Sequence, residues 1–297
     1  MRRELGLYPY RVQLAQTLHR GDEARRWEFT RWLVQQCADD NGFFDKLLMS
    51  DEAKFHLDGT VSKHNCRIWA TEQPAVFQTA STFSPSLTVW CAMTAGGVAR
   101  PYFFESSSGE PLTVTAQRYQ NMLQQFFLPW LRRHHYELST LWFQQDGATA
   151  HTAASSLRFL QGKFPSRVIS KQGSVNWPPR SPDLSALDFF LWGYLKNEVY
   201  KEPVATLTAL KARIRHCIRA LPQTTLQATM RDSLMAHVWS VCAGTEGTSK
   251  TCCFVLDRTV AGSVFLMYIS SSQLELWGIV RLQNSLGCAT HIFAKRL

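Results

Sequence analysis

Residues 87–104, LTVWCAMTAGGVARPYFF, decide the type of fold. Leu87, Val89, Cys91 and Met93 alternate with Thr88, Trp90 and Ala92, the period of two that a strand requires, and Gly96-Gly97 supplies a turn before Pro101-Tyr-Phe-Phe104. That pattern predicts a β-hairpin. Upstream, Leu47, Leu48 and Met49 run apolar into Ser50 and Asp51, a short strand with Asp51 just past its end. Downstream, apolar residues at 122, 123, 126, 127, 130 and 131 recur at the three-and-four spacing of a helix with a wide buried stripe, and Pro129 is placed to kink its last turn. A strand at Leu141-Trp-Phe143 leads into Gln144-Gln145-Asp146. A helix follows from Thr152 to Phe164, stopped by Pro165, and another short strand spans residues 167–170. Strands, helix, strand, helix, strand, then a Pro-rich loop and more helices predict an α/β fold: a mixed sheet with an initial antiparallel hairpin, flanked by helices.

With 297 residues, 45% hydrophobic and 12% aromatic, the chain can build a substantial core, which excludes wholesale disorder. Lys and Arg (32) exceed Asp and Glu (23), a formal charge of +9 that turns attention to anionic partners, nucleic acid first, although a scattered excess also serves solubility alone. The start lacks the apolar run of a secretory signal. The most apolar long stretch, residues 259–280, is interrupted by Ser270, Ser271, Ser272, Gln273 and Glu275, so no membrane span is expected. Eight cysteines include no CxxC pair, which excludes zinc-ribbon and thioredoxin-type motifs and leaves reduced, mostly buried thiols as the expectation. From residue 241 onward the composition turns to Gly, Ser and Thr, so 241–297 is expected to be a separate and poorly ordered tail.

Three acids stand in suggestive places: Asp51 beyond one strand, Asp146 at the end of another, and Asp188 early in a helix approached through Trp177-Pro-Pro-Arg-Ser-Pro-Asp183. Carboxylates on rigid supports are hard oxygen ligands, and three that converge suit Mg²⁺ or Mn²⁺ in phosphodiester chemistry. A strand-end aspartate taken singly is more often a turn former or helix cap than a ligand.

Together, LLMSDEAKFHLDG, RIWATEQP, LTVWCAMTAGGVARPYFFE, TLWFQQDGATAH and WPPRSPDLSALDFFLWGYLKNEVY resemble the catalytic domain of the mariner/Tc1 transposases, with its three DDE/D acids, over about residues 3–240. The resemblance implies an RNase H-like fold over 41–240, with residues 1–40 as a remnant of the segment that joins the family's helix-turn-helix units to it. It implies Asp51, Asp146 and Asp188 as the catalytic and metal-binding residues, with Asp183 left to cap the helix that carries Asp188. Two Mg²⁺ or Mn²⁺ ions are expected, with DNA as substrate (transposon ends and target), a homodimer as a possible acting unit and the nucleus as location. The reaction implied is hydrolysis at an element end followed by attack of the freed 3′-hydroxyl on target DNA.

DNA contacts are expected from basic residues around this pocket: Lys63 and Arg67 after the first acid, Arg180 before the third, Lys196, and Lys211 and Arg215, which with Arg219 form a row at spacing four on one helix. A solvated helix face is the other reading of that row. His151, which matches a histidine of the family, joins the DNA-facing set, with orientation of Asp146 and plain packing as its alternatives. Trp177 and Trp192 are read as core packing, with base stacking as the alternative.

The sequence departs from the family pattern in two ways. The resemblance opens at the joining segment, so the reader of terminal repeats is expected to be missing, and recognisable pattern stops near residue 240, so 241–297 is expected to be unrelated sequence. Smaller changes are the missing prolines of DGATAH and Ala186 where proline is customary. Two other functions therefore stand beside a transposase: a non-catalytic DNA- or protein-binding descendant, and an RNase H-like nuclease that cuts without joining.

Overall fold

The computed structural model describes residues 17–59 and 84–244, together with four short strands within residues 259–294 that pair two by two. A seven-stranded sheet carries the fold. Its strands are β1 (Leu47–His56), β2 (Ser86–Thr94), β3 (Gly97–Val98), β4 (Tyr102–Phe103), β5 (Trp142–Gln144), β6 (Val168–Ser170) and β7 (Val175–Asn176). The order across the sheet is β3-β2-β1-β5-β6-β7, with β4 also pairing β2. β1, β2, β3 and β4 pair antiparallel, whereas β1–β5, β5–β6 and β6–β7 are parallel. This is the mixed sheet with an opening hairpin that the sequence predicts.

β1 is longer than its apolar start. Residues 49–56 pair β2 from Met49 opposite Met93 to His56 opposite Ser86, so Asp51 lies in mid-strand, opposite Cys91, and not past the strand end. Backbone pairing with a long partner carries the strand through the polar run Ser50-Asp-Glu-Ala-Lys54, because its N–H and C=O groups find partners whatever the side chains are.

Helices cover both faces, as parallel sheet members require. Leu47, Met49 and Phe55 point into one core, and Leu48 points into the other. The first core is closed by α1 (Asp22–Asp39), α2 (Phe43–Lys46), α7 (Trp192–Val199), α8 (Leu207–Arg219), α9 (Gln223–Ala228) and α10 (Leu234–Gly244). The second is closed by α3 (Ala116–Met122), α4 (Leu128–Arg133) and α6 (Ala154–Lys163), with the short α5 (Thr149–Thr152) at its margin. A π turn, Leu123–Phe127, joins α3 to α4. Pro129 has no N–H to offer the preceding turn; widening that turn by one residue lets the helix continue through it.

Both ends of the described body belong to the first core. Phe29, Leu33 and Val34 of α1 are buried in it, and Phe29 meets Trp177 edge-on at 5.0 Å. α10 runs past residue 240 to Gly244, and buried Cys242 donates to Thr30 of α1. A boundary at 240 therefore cuts a helix whose apolar periodicity persists beyond it.

The turn between β6 and β7 is tight. A Cβ on Gly173 would lie 2.5 Å from the Val168 carbonyl oxygen and 2.8 Å from the Ser170 nitrogen. Both are backbone atoms held in strands, so neither can withdraw cheaply. Gly173→Ala should lower stability by about 1–3 kcal/mol, read as a lower denaturant midpoint at unchanged m-value.

Candidate active site

β1 and β5 run side by side, with Met49 against Gln144 as the last pair, so Asp51 and Asp146 each stand two residues beyond it. Asp51 shares the face of Met49 by strand alternation. On that face Trp192, buried at the start of α7, donates its Nε1–H to Asp51 Oδ2 at 2.7 Å. Asp188 lies one turn earlier, within a π turn at Leu187–Leu191, a distortion that often accompanies functional residues. The chain reaches it through a 3-10 turn, Pro182–Leu184, and through Ala186, whose N–H meets Met49 Sδ at 3.4 Å.

Asp146 is held through one oxygen. Its Oδ1 accepts from the Ala148 N–H at 2.9 Å and from His151 Nδ1 at 2.6 Å. The other ring nitrogen of His151, Nε2, meets Glu52 Oε1 at 3.1 Å. Burial opposes charge on this imidazole, but the bonds to Asp146 and Glu52 push its pKa up to about 10, so both ring nitrogens donate. Glu52 follows Asp51 and therefore points to the opposite face of β1. There Tyr119 lies 4.4 Å from the His151 ring and donates to Gln145 Oε1 at 2.7 Å, while Gln145 Nε2 donates to the His151 carbonyl and to Ser170 Oγ.

The acids sense one another. Burial, then the charge of Asp188, then that of Glu52, raise the Asp51 carboxyl well above its ordinary range. Burial, with the charge of Asp146, lifts Asp188 to about 6 against the pull of Ser185. Burial raises Asp146 too, but its bond to His151 holds the net shift downward. The His151 charge is engaged by Asp146 and Glu52, and no described cation stands beside Asp51 or Asp188. Among the described residues, no three His, Cys, Asp or Glu side chains are gathered closely enough to hold a metal ion.

The loop before the third acid is fastened to α1 by two ion pairs of opposite polarity. Arg180 reaches Asp22 through Nε and Nη2, and Arg26 forks onto both oxygens of Asp183 while Nη1 also reaches Ser181 Oγ at 2.9 Å. Asp183 thus does not cap a helix; its carboxylate is taken by Arg26. Arg180, expected at the DNA, is committed to a fully buried Asp22 and takes a positive φ of 53° to reach it.

The other expected contacts fall in different places. Lys63 and Arg67 lie outside the described residues. His151 is 1% exposed and cannot touch DNA; it orients Asp146 instead. Lys196 is half-buried over the Phe55 ring, and Lys211 is paired with Glu105. Arg215 is exposed, 4.7 Å above Phe103. Trp177 and Trp192 are buried, so neither offers a face to a base. Glu52, Tyr119 and the α1 pair Asp22 and Arg26 were not legible as site residues: only the SDE spacing, which sends neighbouring acids to opposite faces, could have flagged Glu52.

No family model matches the chain. Over 193 residues it is 30% identical to the Tc3 transposase of Caenorhabditis elegans, a match covering 63% of this chain and 53% of that protein. The Mos1 transposase paired-end complex with left transposon end superposes with a TM-score of 0.65 at 18% identity, over 82% of this chain and 68% of that one. The chain is thus similar in sequence to the Tc3 transposase and in fold to the Mos1 mariner transposase. The Mos1 catalytic domain solved with raltegravir and Mn is matched over its full length, 100%, and over 79% of this chain, at 15% identity and a TM-score of 0.60. The fold is thus RNase H-like, as in the Mos1 catalytic domain. The chain spans about half the length of the curated relative it matches.

Arg180, and then the His19 N–H, hold the Asp22 carboxyl down at about 2. An acid depressed in the folded state stabilises above its unfolded pKa and loses that contribution as pH falls through the folded value. The melting temperature should therefore fall between about pH 4 and pH 2, and an Asp22→Asn variant should show a shallower fall across that window, measured by circular dichroism.

Proposed function

We propose that this chain cuts and joins DNA as a DDE/D transposase does, with Asp51, Asp146 and Asp188 as the catalytic carboxylates. One observation supports the reading: with two parallel strands and a helix tied to the first of them by the Trp192–Asp51 bond, Asp188 comes within electrostatic reach of Asp51 and Asp146. The donor set fits a divalent cation. It consists of hard carboxylate oxygens, and the bonds from Trp192 and Ser185 offset only in part the burial and repulsion felt by Asp51 and Asp188. Asp51, Asp146 and Asp188 would hold Mg²⁺ or Mn²⁺, two ions in all, and bound cations supply activation of the attacking oxygen and neutralisation of charge on the phosphodiester.

The residues have separable tasks. Ala148 and His151 both occupy Oδ1 of Asp146, which leaves Oδ2 free to act as a ligand. Trp192 fixes Asp51 through Oδ2 and leaves Oδ1. Glu52 sustains the charge of His151 from the far face, so the imidazolium stays a donor to Asp146 across the neutral range. The clamp from α1 sets the path by which Asp188 arrives. None of these roles requires a covalent enzyme intermediate. The reading includes DNA as the partner, a homodimer as the acting unit and the nucleus as the place of action; the Mos1 complex with its left transposon end supports the first of these.

The test is nicking and joining of a labelled duplex by purified protein with Mg²⁺ or Mn²⁺. Asp146→Asn should abolish both steps, a loss of at least about a thousandfold, at an unchanged melting temperature. Activity that survives this substitution would remove the assignment, and nicking without joined product would leave a nuclease. His151→Gln, which keeps a hydrogen-bond donor but not the charge, should cut activity by about ten- to a hundredfold while DNA affinity stays the same.

A further inference from the structure

The outer edge of the sheet carries a cleft of about 410 Å³ that the catalytic residues do not use. Arg100, Arg215 and Arg219 line it, over an apolar floor that includes Val98, Phe126 and Ile218. Two helical segments from opposite faces of the sheet close over this edge: α8 supplies Arg215, Ile218 and Arg219, and the π turn between α3 and α4 supplies Phe126. Val98 pairs opposite Met93, and Phe103, under Arg215, pairs opposite Val89. These positions bracket Cys91, the partner of Asp51, so the cleft stands level with the first acid, two strand spacings or about 10 Å outward.

The charges here are unspent. On the same helix, Lys211 is paired with Glu105, and Arg213 donates to the carbonyl oxygens of Val199 and Glu202 at 2.8 and 2.6 Å. Among the described residues, Arg100, Arg215 and Arg219 have no carboxylate partner. The Phe103 ring supports the Arg215 guanidinium from below and leaves its N–H groups outward. Three like charges around one cleft repel each other until an anion sits between them, and an apolar floor strengthens the attraction by excluding water. Guanidinium forks match phosphate oxygens two at a time. An apolar floor beside phosphate-binding forks suits a chain of alternating phosphates and deoxyribose faces.

We propose that this cleft holds the sugar–phosphate backbone of DNA flanking the segment at the carboxylates, as a contact that works independently of them. The choice of DNA as the polyanion rests on the proposed function; the cleft's affinity for phosphates rests on its own residues.

The experiment is a fluorescence anisotropy titration of the full chain with a labelled duplex of arbitrary sequence, in EDTA, over a range of salt. An Arg100→Gln/Arg215→Gln/Arg219→Gln variant should reduce the slope of log K against log salt by about 2–3, and lower low-salt affinity about tenfold or more, with the wild-type melting temperature. The matching Arg→Lys variant should retain most of the slope. If the triple variant fails to fold, Arg219→Gln alone, at an exposed position, should lower the slope by about 1. An unchanged slope overturns the proposal. So does an equal loss when Arg132, Arg133 and Arg158 are changed to Gln instead, which would mean a diffuse charge effect. Competition by inorganic phosphate at concentrations comparable to competing duplex phosphates would overturn it too, since it would indicate a small-anion site. A protein that shows the slope change but never nicks DNA would end the transposase reading and keep the cleft; nicking with no slope change would do the reverse.

Discussion

Everything at the candidate site depends on the parallel register of β1 and β5. Met49 against Gln144 ends the pairing of β1 with β5, and each strand then presents an aspartate two residues on. Backbone hydrogen bonds set that level, so neither acid depends on a flexible loop for its height. Shifting one strand by a single residue would turn its aspartate to the opposite face. The third acid has no strand beneath it. Its position comes from the helix that starts at Trp192, and the indole–carboxylate bond to Asp51 converts a packing contact into a positional one.

That difference explains why the third acid needs more support than the other two. The loop leading to Asp188 crosses α1, and the two Asp–Arg pairs between them alternate in sign, so sliding the loop along the helix would oppose like charges. Partly buried pairs of this kind contribute little net stability when desolvation is counted, but they penalise the wrong register heavily. Their main effect is therefore to select one arrangement of the loop. The network behind Asp146 works in a related way: Glu52, His151, Gln145, Tyr119 and Ser170 form a chain of hydrogen bonds in which few rotamers satisfy every member.

The sequence made visible what is local and periodic. The hairpin at 87–104, the apolar stripe from 122 to 131 and the strand at 141–143 could be read because each rests on spacing within a few turns of chain, whereas the three aspartates were singled out by the family resemblance. The length of β1 could not, since partner pairing extends it and not its own polarity. The fate of the basic residues was hidden for a similar reason. Arg180 and Lys211 look alike in sequence to Arg215, yet the first two are matched by carboxylates distant in the chain, Asp22 and Glu105, and only the fold decides which cation remains for a ligand. Residues 1–40 read as a linker remnant through the family resemblance alone; Phe29, Leu33 and Val34 seat α1 on the first core.

The π turn around Asp188 has a consequence for how this helix tolerates length changes. Residues 187–191 hold one residue more than an α-helical turn would, and excising one of them would let the segment relax to regular α-helix. Five residues of a π turn cover nearly the same rotation about the axis as four residues of α-helix, so the side chains beyond would keep their facing. Trp192 would still address Asp51, and Leu195 and Val199 would stay in the first core. The change would be confined to the turn that carries Asp188, whereas the same deletion inside the regular helix Trp192–Val199 would swing everything after it by about 100°.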